Sequence, residues 1–183
     1  MNMKNVSSKF SFRALNDSER KYLCSLIETY AGIARRADHP MREISKKLMS
    51  YVLWRWTADA VKCGATGITK DVVKQDKWKY NCEVHPFTEK AKLITKDKGK
   101  RLRHEHVVPR DLIIRHILEE ELEKETLFNF LCIFCKCAIV TKEEDQQLRP
   151  RNTMPNGWAW DEACVYSRYE NSKMKLMFPN DQP

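Results

Sequence analysis

The chain has 183 residues, enough for one domain with a substantial core but not for two independent cores. Hydrophobic residues make up 42% and charged residues 32%, with 5 Gly and 7 Pro, which excludes a disordered or fibrous chain. Lys and Arg number 33 against 25 Asp and Glu, a net charge of +8, and this balance favours a nucleic acid, a ribonucleoprotein or an acidic protein surface as partner.

Residues 1–15 read as a loose arm or short edge strand around Phe10-Ser11-Phe12. Asn16 with Glu19 three residues on is a capping box, and a helix is expected to about Arg36, with Leu23, Ile27, Tyr30 and Ile33 on one face. A second helix is expected from Met41 to Lys62, stopped by Gly64. Ile44, Leu48, Tyr51, Val52 and Arg55 share one side of it, Asp59 follows on that side, and Met49, Leu53, Trp56 and Ala60 form an adjacent stripe. Residues 16–64 are thus a helical hairpin. Trp54 and Trp56 read first as core aromatics and second as a stacking platform.

Residues 70–110 hold twelve Lys or Arg against six Asp or Glu. Among them Trp78, Tyr80 and Phe87 interleave with Lys70, Lys74, Lys77, Lys79, Lys90, Lys92, Lys96 and Lys98, a composition suited to phosphates plus unstacked bases, or to a solvated lysine-rich face. A short helix is expected from Thr88, stopped by Gly99. In residues 109–183, Pro109 opens a helix to about Lys124 that buries Leu112, Ile113, Ile117, Leu118 and Leu122 and exposes the acidic run Glu119 to Glu123. Thr126–Phe134 is ambiguous between helix and strand. Cys137–Val140 is a buried strand, followed by a capping box at Thr141 and Glu144 that starts a helix through Leu148. A last helix is expected from about Asp161 and a frayed tail after Phe178. The expected fold is α+β, mainly helical, with the hairpin packed on a smaller part carrying strands near 101–108 and 137–141.

No run reaches the roughly 18 apolar residues of a membrane span. Residues 1–13 lack the apolar centre of a signal peptide, and the expected location is cytoplasmic. Seven cysteines, an odd number spread from Cys24 to Cys164, argue against a disulfide framework.

The stretch Lys98 to Arg110 concentrates the chemistry. If residues 102–108 are a strand, His104 and His106 share one face and Glu105 takes the other. Paired imidazoles can share a metal, or one can act as a base near neutral pH. A divalent cation would stabilise charge on a scissile phosphate, and Lys98, Lys100, Arg101, Arg103 and Arg110 would bind that phosphate. Phosphodiester hydrolysis is the reaction these side chains suit.

Glu105-His106-Val107-Val108-Pro109 resembles the first motif of HNH nucleases of the His-Me finger group, in which an acidic residue, His, two aliphatics and Pro end a strand. The resemblance covers about seven of 183 residues. It implies His106 as general base, Glu105 as a ligand of Mg²⁺ or Mn²⁺, and a β-hairpin followed by a helix. It further implies an Asn in a loop and a metal-binding His or Asn on the helix. In this sequence a helix is expected from Pro109, no second strand follows closely, and the next candidates are His116 and Asn129. The candidate set is therefore His106, Glu105 and His104 for catalysis, and Glu105, His104 and His116 for the metal.

Two other readings stand beside this one. Cys132-x2-Cys135-x-Cys137 has thiolates at zinc-like spacing, with His104, His106, Cys82 or His85 to complete four ligands, against buried thiols in an apolar run. Alternatively the histidines only hold neighbouring segments in place. The protein is then a non-catalytic basic binder, such as an inhibitor or accessory factor of a mobile genetic element, acting on a nucleic acid, a ribonucleoprotein or a partner protein.

Overall fold

The computed structural model describes residues 11–58, 60–63, 79–148 and 150–179. Phe10, Asp59, the Gly64 cap, the basic residues from Lys70 to Lys77, Trp78 and the end of the tail lie outside the described residues.

Strand β1 (Ser11–Ala14) pairs antiparallel with β2 (Ala60–Cys63), in register from Ser11 opposite Cys63 to Ala14 opposite Ala60. Between them lies the helical hairpin, α1 (Asp17–Arg36) and α2 (His39–Ala58). The capping box forms as expected: Asn16 Oδ1 accepts from the Glu19 amide at 2.9 Å, and the Glu19 carboxylate accepts from the Asn16 amide at 2.8 Å. Two donors that the helix start would otherwise orphan are thereby satisfied. Helix α2 ends earlier than its periodicity predicts. Residues 60–62, expected as helix, are strand, because the N-terminal arm offers them a partner and tertiary pairing overrides local propensity.

The two apolar stripes of α2 meet different fates. Met49, Leu53 and Trp56 are buried with Val52, whereas Ile44, Leu48 and Tyr51 are 49%, 39% and 57% exposed. Helix α1 and a later helix cover only one side of α2, and α1 meets it with small residues, Ala31 and Ala34, that let the backbones approach. Ile33, expected on the buried face of α1, falls at its exposed margin.

After the hairpin come β3 (Phe87–Thr88), α3 (Glu89–Lys92), α4 (Lys98–Arg101) and β4 (Leu102–His106). Gly99 does not stop a helix but lies inside α4. The break falls before it, at Asp97, whose φ of 51° is left-handed, a conformation that Asp tolerates better than most residues. Helix α5 (Arg110–Glu119) follows Pro109 and stops short of the expected Lys124. Arg35 donates to the carbonyls of Ile117 at 2.5 Å and Leu118 at 3.3 Å, satisfying orphan acceptors at the helix end. Glu121 then takes a φ of 48°.

The ambiguous segment is helix α6 (Lys124–Phe134), leading to β5 (Cys137–Thr141) and α7 (Lys142–Gln147), whose Thr141–Glu144 capping box forms as expected. The expected last helix is reduced to a 3-10 turn (Glu162–Cys164) and α8 (Ser167–Asn171), before β6 (Leu176–Met177). The four-stranded sheet has the order β4-β5-β3-β6; β5 runs antiparallel to β4 and parallel to β3, and β6 antiparallel to β3. The architecture is α+β and mainly helical, and among the described residues no helix is long and apolar enough to cross a membrane.

The main core joins the hairpin, α5, α6 and one side of the sheet, and a smaller cluster of Tyr80, Phe87, Ala91, Ile94, Leu102 and Ile139 closes the far end. Leu53 is fully buried in the main core. Leu53→Ala should cost about 2–5 kcal/mol, read as a lower urea midpoint at unchanged slope; a loss well under 1 kcal/mol would mean that this interface is not tightly packed.

Candidate functional site

Strand β4 lies at the edge of the sheet, and its register with β5 sets the site. His106 stands opposite Cys137, Glu105 opposite Ala138, and His104 opposite Ile139. Leu102, His104 and His106 are buried while Arg103 and Glu105 are half-buried, so the alternation expected of a strand places both imidazoles on one face and the carboxylate on the other.

His106 is held from α2. Its Nε2 lies 3.3 Å from the Leu53 carbonyl and 3.3 Å from Thr57 Oγ1. The Thr57 hydroxyl donates to the Trp54 carbonyl at 3.2 Å, and a carbonyl can only accept, so Nε2 carries the proton and Nδ1 the lone pair. Burial first, and the Arg110 charge second, lower the His106 pKa from 6.5 to about 4. The ring is neutral at pH 7.

Glu105 faces the C-terminal segment. Its Oε1 accepts from Arg168 Nη1 at 3.2 Å, and the same guanidinium donates to the carbonyls of His106 at 3.2 Å and Leu148 at 2.7 Å. Desolvation raises the Glu105 pKa; Arg168 opposes the rise and the nearby Asp145 adds to it. Asp145, on α7, is buried and paired with Arg151, which is 52% exposed. A cavity of about 290 Å³ runs along the outer edge of β4. Glu105, His106, Asp145 and Asn152 line it together with Arg103, Arg110 and Arg151. Trp54 also lines it, so of the two tryptophans expected as core only Trp56 is buried.

The second cluster lies on the histidine face. His85 Nδ1 is 3.2 Å from Cys137 Sγ, and the ligand atoms of His85, His104 and Cys137 all lie within 4.8 Å of one another. These three residues could hold a metal ion. The rings of His85 and His104 meet edge to face at 5.3 Å. Both nitrogens of His104 are buried without a hydrogen-bond partner, although the Thr57 backbone comes close enough to favour the charged ring slightly. Desolvation, followed by His85, His106 and Lys79, lowers the His104 pKa well below 6.5.

No family model, curated protein or solved structure matches this chain. The chemistry of the site rests on its own residues.

The structure gathers some of the expected residues and separates others. Glu105, His104 and His106 share one strand, and Arg103 and Arg110 join them at the cavity. Arg110 also donates to the Ser50 carbonyl at 3.0 Å. Lys98, Lys100 and Arg101 sit on α4 at the other end of β4, where Lys98 Nζ reaches the Tyr80 carbonyl at 3.4 Å. His116 stands apart, stacked on Trp160 at 4.2 Å and Phe130 at 4.8 Å, and Asn129 lies exposed on α6. The Cys132–Cys137 spacing does not act as a unit. Cys132 is exposed, Cys135 donates its thiol to the Leu53 carbonyl at 3.6 Å, and only Cys137 meets histidines. Cys82 packs with the smaller core cluster.

Residues that sequence reasoning missed are Asp145, Asn152, Arg151, Arg168 and Thr57. The capping box at Thr141 located α7 and so left a signal for Asp145; nothing local marked Arg168.

Proposed function

We propose that this chain is a nucleic-acid-associated protein that hydrolyses phosphodiesters with His106 as general base and with Glu105 and Asp145 as ligands of Mg²⁺ or Mn²⁺. The observation that supports the reading is the cavity at the edge of β4, lined by three carboxylates (Glu105, Asp111 and Asp145), the imidazoles of His104 and His106, and three arginines. The order of elements supports it as well. Strands β4 and β5 are antiparallel, α7 follows β5 directly, and α5 and α6 form the connection between the strands. A strand pair followed by a helix is what the HNH resemblance implies, with Asp145 in the helix position where a His or Asn was expected.

The carboxylates suit a hard cation. Glu105, whose proton affinity is raised by desolvation and by the nearby Asp145, gains from a divalent ion, and Mg²⁺ needs only one or two carboxylates plus waters. Arg168 holds Oε1 of Glu105, so Glu105 would offer its other oxygen to a cation, and Asp145 would do so once the half-exposed Arg151 moved off it. When bound, the ion supplies charge stabilisation at the phosphate and its leaving oxygen. His106, with its proton fixed on Nε2 by Leu53, offers Nδ1 to take a proton from water. The water oxygen then attacks phosphorus, the bond to the leaving oxygen breaks, and Arg103 and Arg110 neutralise the phosphate.

The test is cleavage of single- and double-stranded DNA and RNA with Mg²⁺ or Mn²⁺. His106→Ala should lower the rate by about 10²–10⁴-fold, and Asp145→Asn should raise the metal concentration needed, with both variants folded by circular dichroism. No cleavage of any substrate by the parent protein sinks the proposal. One observation favours a second reading, in which the protein binds without turnover: Glu105 and His106 are both engaged inside the protein, by Arg168 and by α2. Under that reading His106→Ala leaves binding intact, whereas charge reversal at Lys100 and Arg101 weakens a salt-sensitive complex.

A further inference from the structure

From the geometry of His85, His104 and Cys137 we infer that the protein carries a zinc ion at the junction of β4, β5 and the turn before β3, a site that shares only His104 with the lining of the hydrolytic cavity and is distinct from any Mg²⁺ or Mn²⁺ there. Three observations carry it. His85 Nδ1 and Cys137 Sγ face one another at 3.2 Å in a buried setting. Both ring nitrogens of His104 are buried without a hydrogen-bond partner, within reach of that pair. An orphaned buried nitrogen is costly unless something engages it; a cation of the right softness would engage one of the two, and the Thr57 backbone lies near the ring. Ligand atoms around tetrahedral zinc stand roughly 3.3–3.6 Å apart, given bonds of about 2.0–2.1 Å to nitrogen and 2.3 Å to sulfur. The His85–Cys137 edge is already near that span, and His104 has to draw in by roughly an ångström.

The donor set selects the metal. Two imidazoles and one thiolate suit zinc, whereas Mg²⁺ and Mn²⁺ prefer oxygen. On binding, the Cys137 S–H bond breaks, a sulfur–zinc bond forms and the proton leaves to solvent, while both histidines bind neutral. His85 and Cys137 also line a cavity of about 290 Å³ bounded by Arg20, Trp56 and Tyr166, so the fourth tetrahedral position is available to water. The ion ties the turn holding His85, with the segment before it, to the central strand pair. Cys132 and Cys135 line the same cavity but fall outside the three-residue cluster.

The experiment is a metal count on protein purified from zinc-supplemented cells, followed by cobalt(II) substitution of the metal-free protein. Stoichiometric zinc is expected, and the cobalt form should show a near-ultraviolet thiolate charge-transfer band and the intense visible bands of a four-coordinate site. Cys137→Ser should lose the charge-transfer band and most of the zinc, while Cys132→Ser keeps both. Should Cys137→Ser fail to fold, X-ray absorption on the wild-type zinc protein reads the same point: one sulfur with imidazole nitrogens supports the site, and a shell with no sulfur or with several overturns it. Substoichiometric zinc, or a charge-transfer band that survives Cys137→Ser, also overturns it. None of these readouts involves nucleic acid, so a failure here is distinct from a failure of the hydrolytic reading.

Discussion

Arg168→Ala should destabilise the protein by about 3–5 kcal/mol, the range for removing one partner of a buried ion pair. Arg168 is 3% exposed and engages three acceptors from two parts of the chain: the Glu105 carboxylate and the His106 carbonyl on β4, and the Leu148 carbonyl after α7. Its removal leaves a half-buried carboxylate without its cation and two carbonyls without their donor. The loss comes from those orphaned groups, because the net gain of a satisfied buried pair over apolar packing is small. Two companions separate charge from shape. Glu105→Gln keeps an oxygen for the guanidinium and should cost less than half as much. Arg168→Lys keeps the charge but not the planar fork, and should recover only part of the loss. Chemical denaturation of the three variants is the measurement; equal costs for Arg168→Ala and Glu105→Gln would show that the pair does not carry the effect.

The second large effect is acid sensitivity. His106 has a folded pKa of about 4 against 6.5 for the unfolded chain. The unfolded state therefore binds a proton first as pH falls, so the stability is fully present above about pH 6.5 and is lost progressively down to about pH 4. The window of 2.5 units corresponds to roughly 3 kcal/mol. His104 is shifted in the same direction by the same burial and adds to the slope. Glu105, shifted up, works the other way: it takes a proton more readily in the folded state, which softens the loss at the acid end. Urea midpoints measured from pH 8 to pH 4 with chelator present should fall over this window. His106→Gln, which cannot titrate, should flatten the profile. A flat profile in the parent protein would mean that the His106 ring is hydrated rather than buried.

Both effects meet at β4, and they bear differently on the two functional readings. A neutral, tautomer-fixed imidazole is what a general base needs, and it is also what a structural histidine looks like. The carboxylates distinguish them, because only hydrolysis calls on Asp145 and the second oxygen of Glu105.

Local signals carried much of the fold. The capping boxes at Asn16 and Thr141 located two helix starts because the cap is made by residues three apart, and the alternation of Leu102 to His106 placed the imidazoles because side chains on a strand alternate by geometry alone. The stripes of α2 were equally legible, but which of them is buried was decided by where α1 and α5 pack. The same limit explains why residues 60–62 read as helix: their partner, β1, lies at the far end of the hairpin. At the site, the sequence by itself determined that Glu105, His106, Arg103 and Arg110 stand close together, since all four lie within one short stretch. Only the tertiary structure decided their companions. Asp145 and Arg168 reach Glu105 through strand pairing and the return of the C-terminal segment, and His85 reaches His104 and Cys137 across the sheet. Contacts between residues so far apart in the chain depend on the packing of the whole core, which no local pattern encodes.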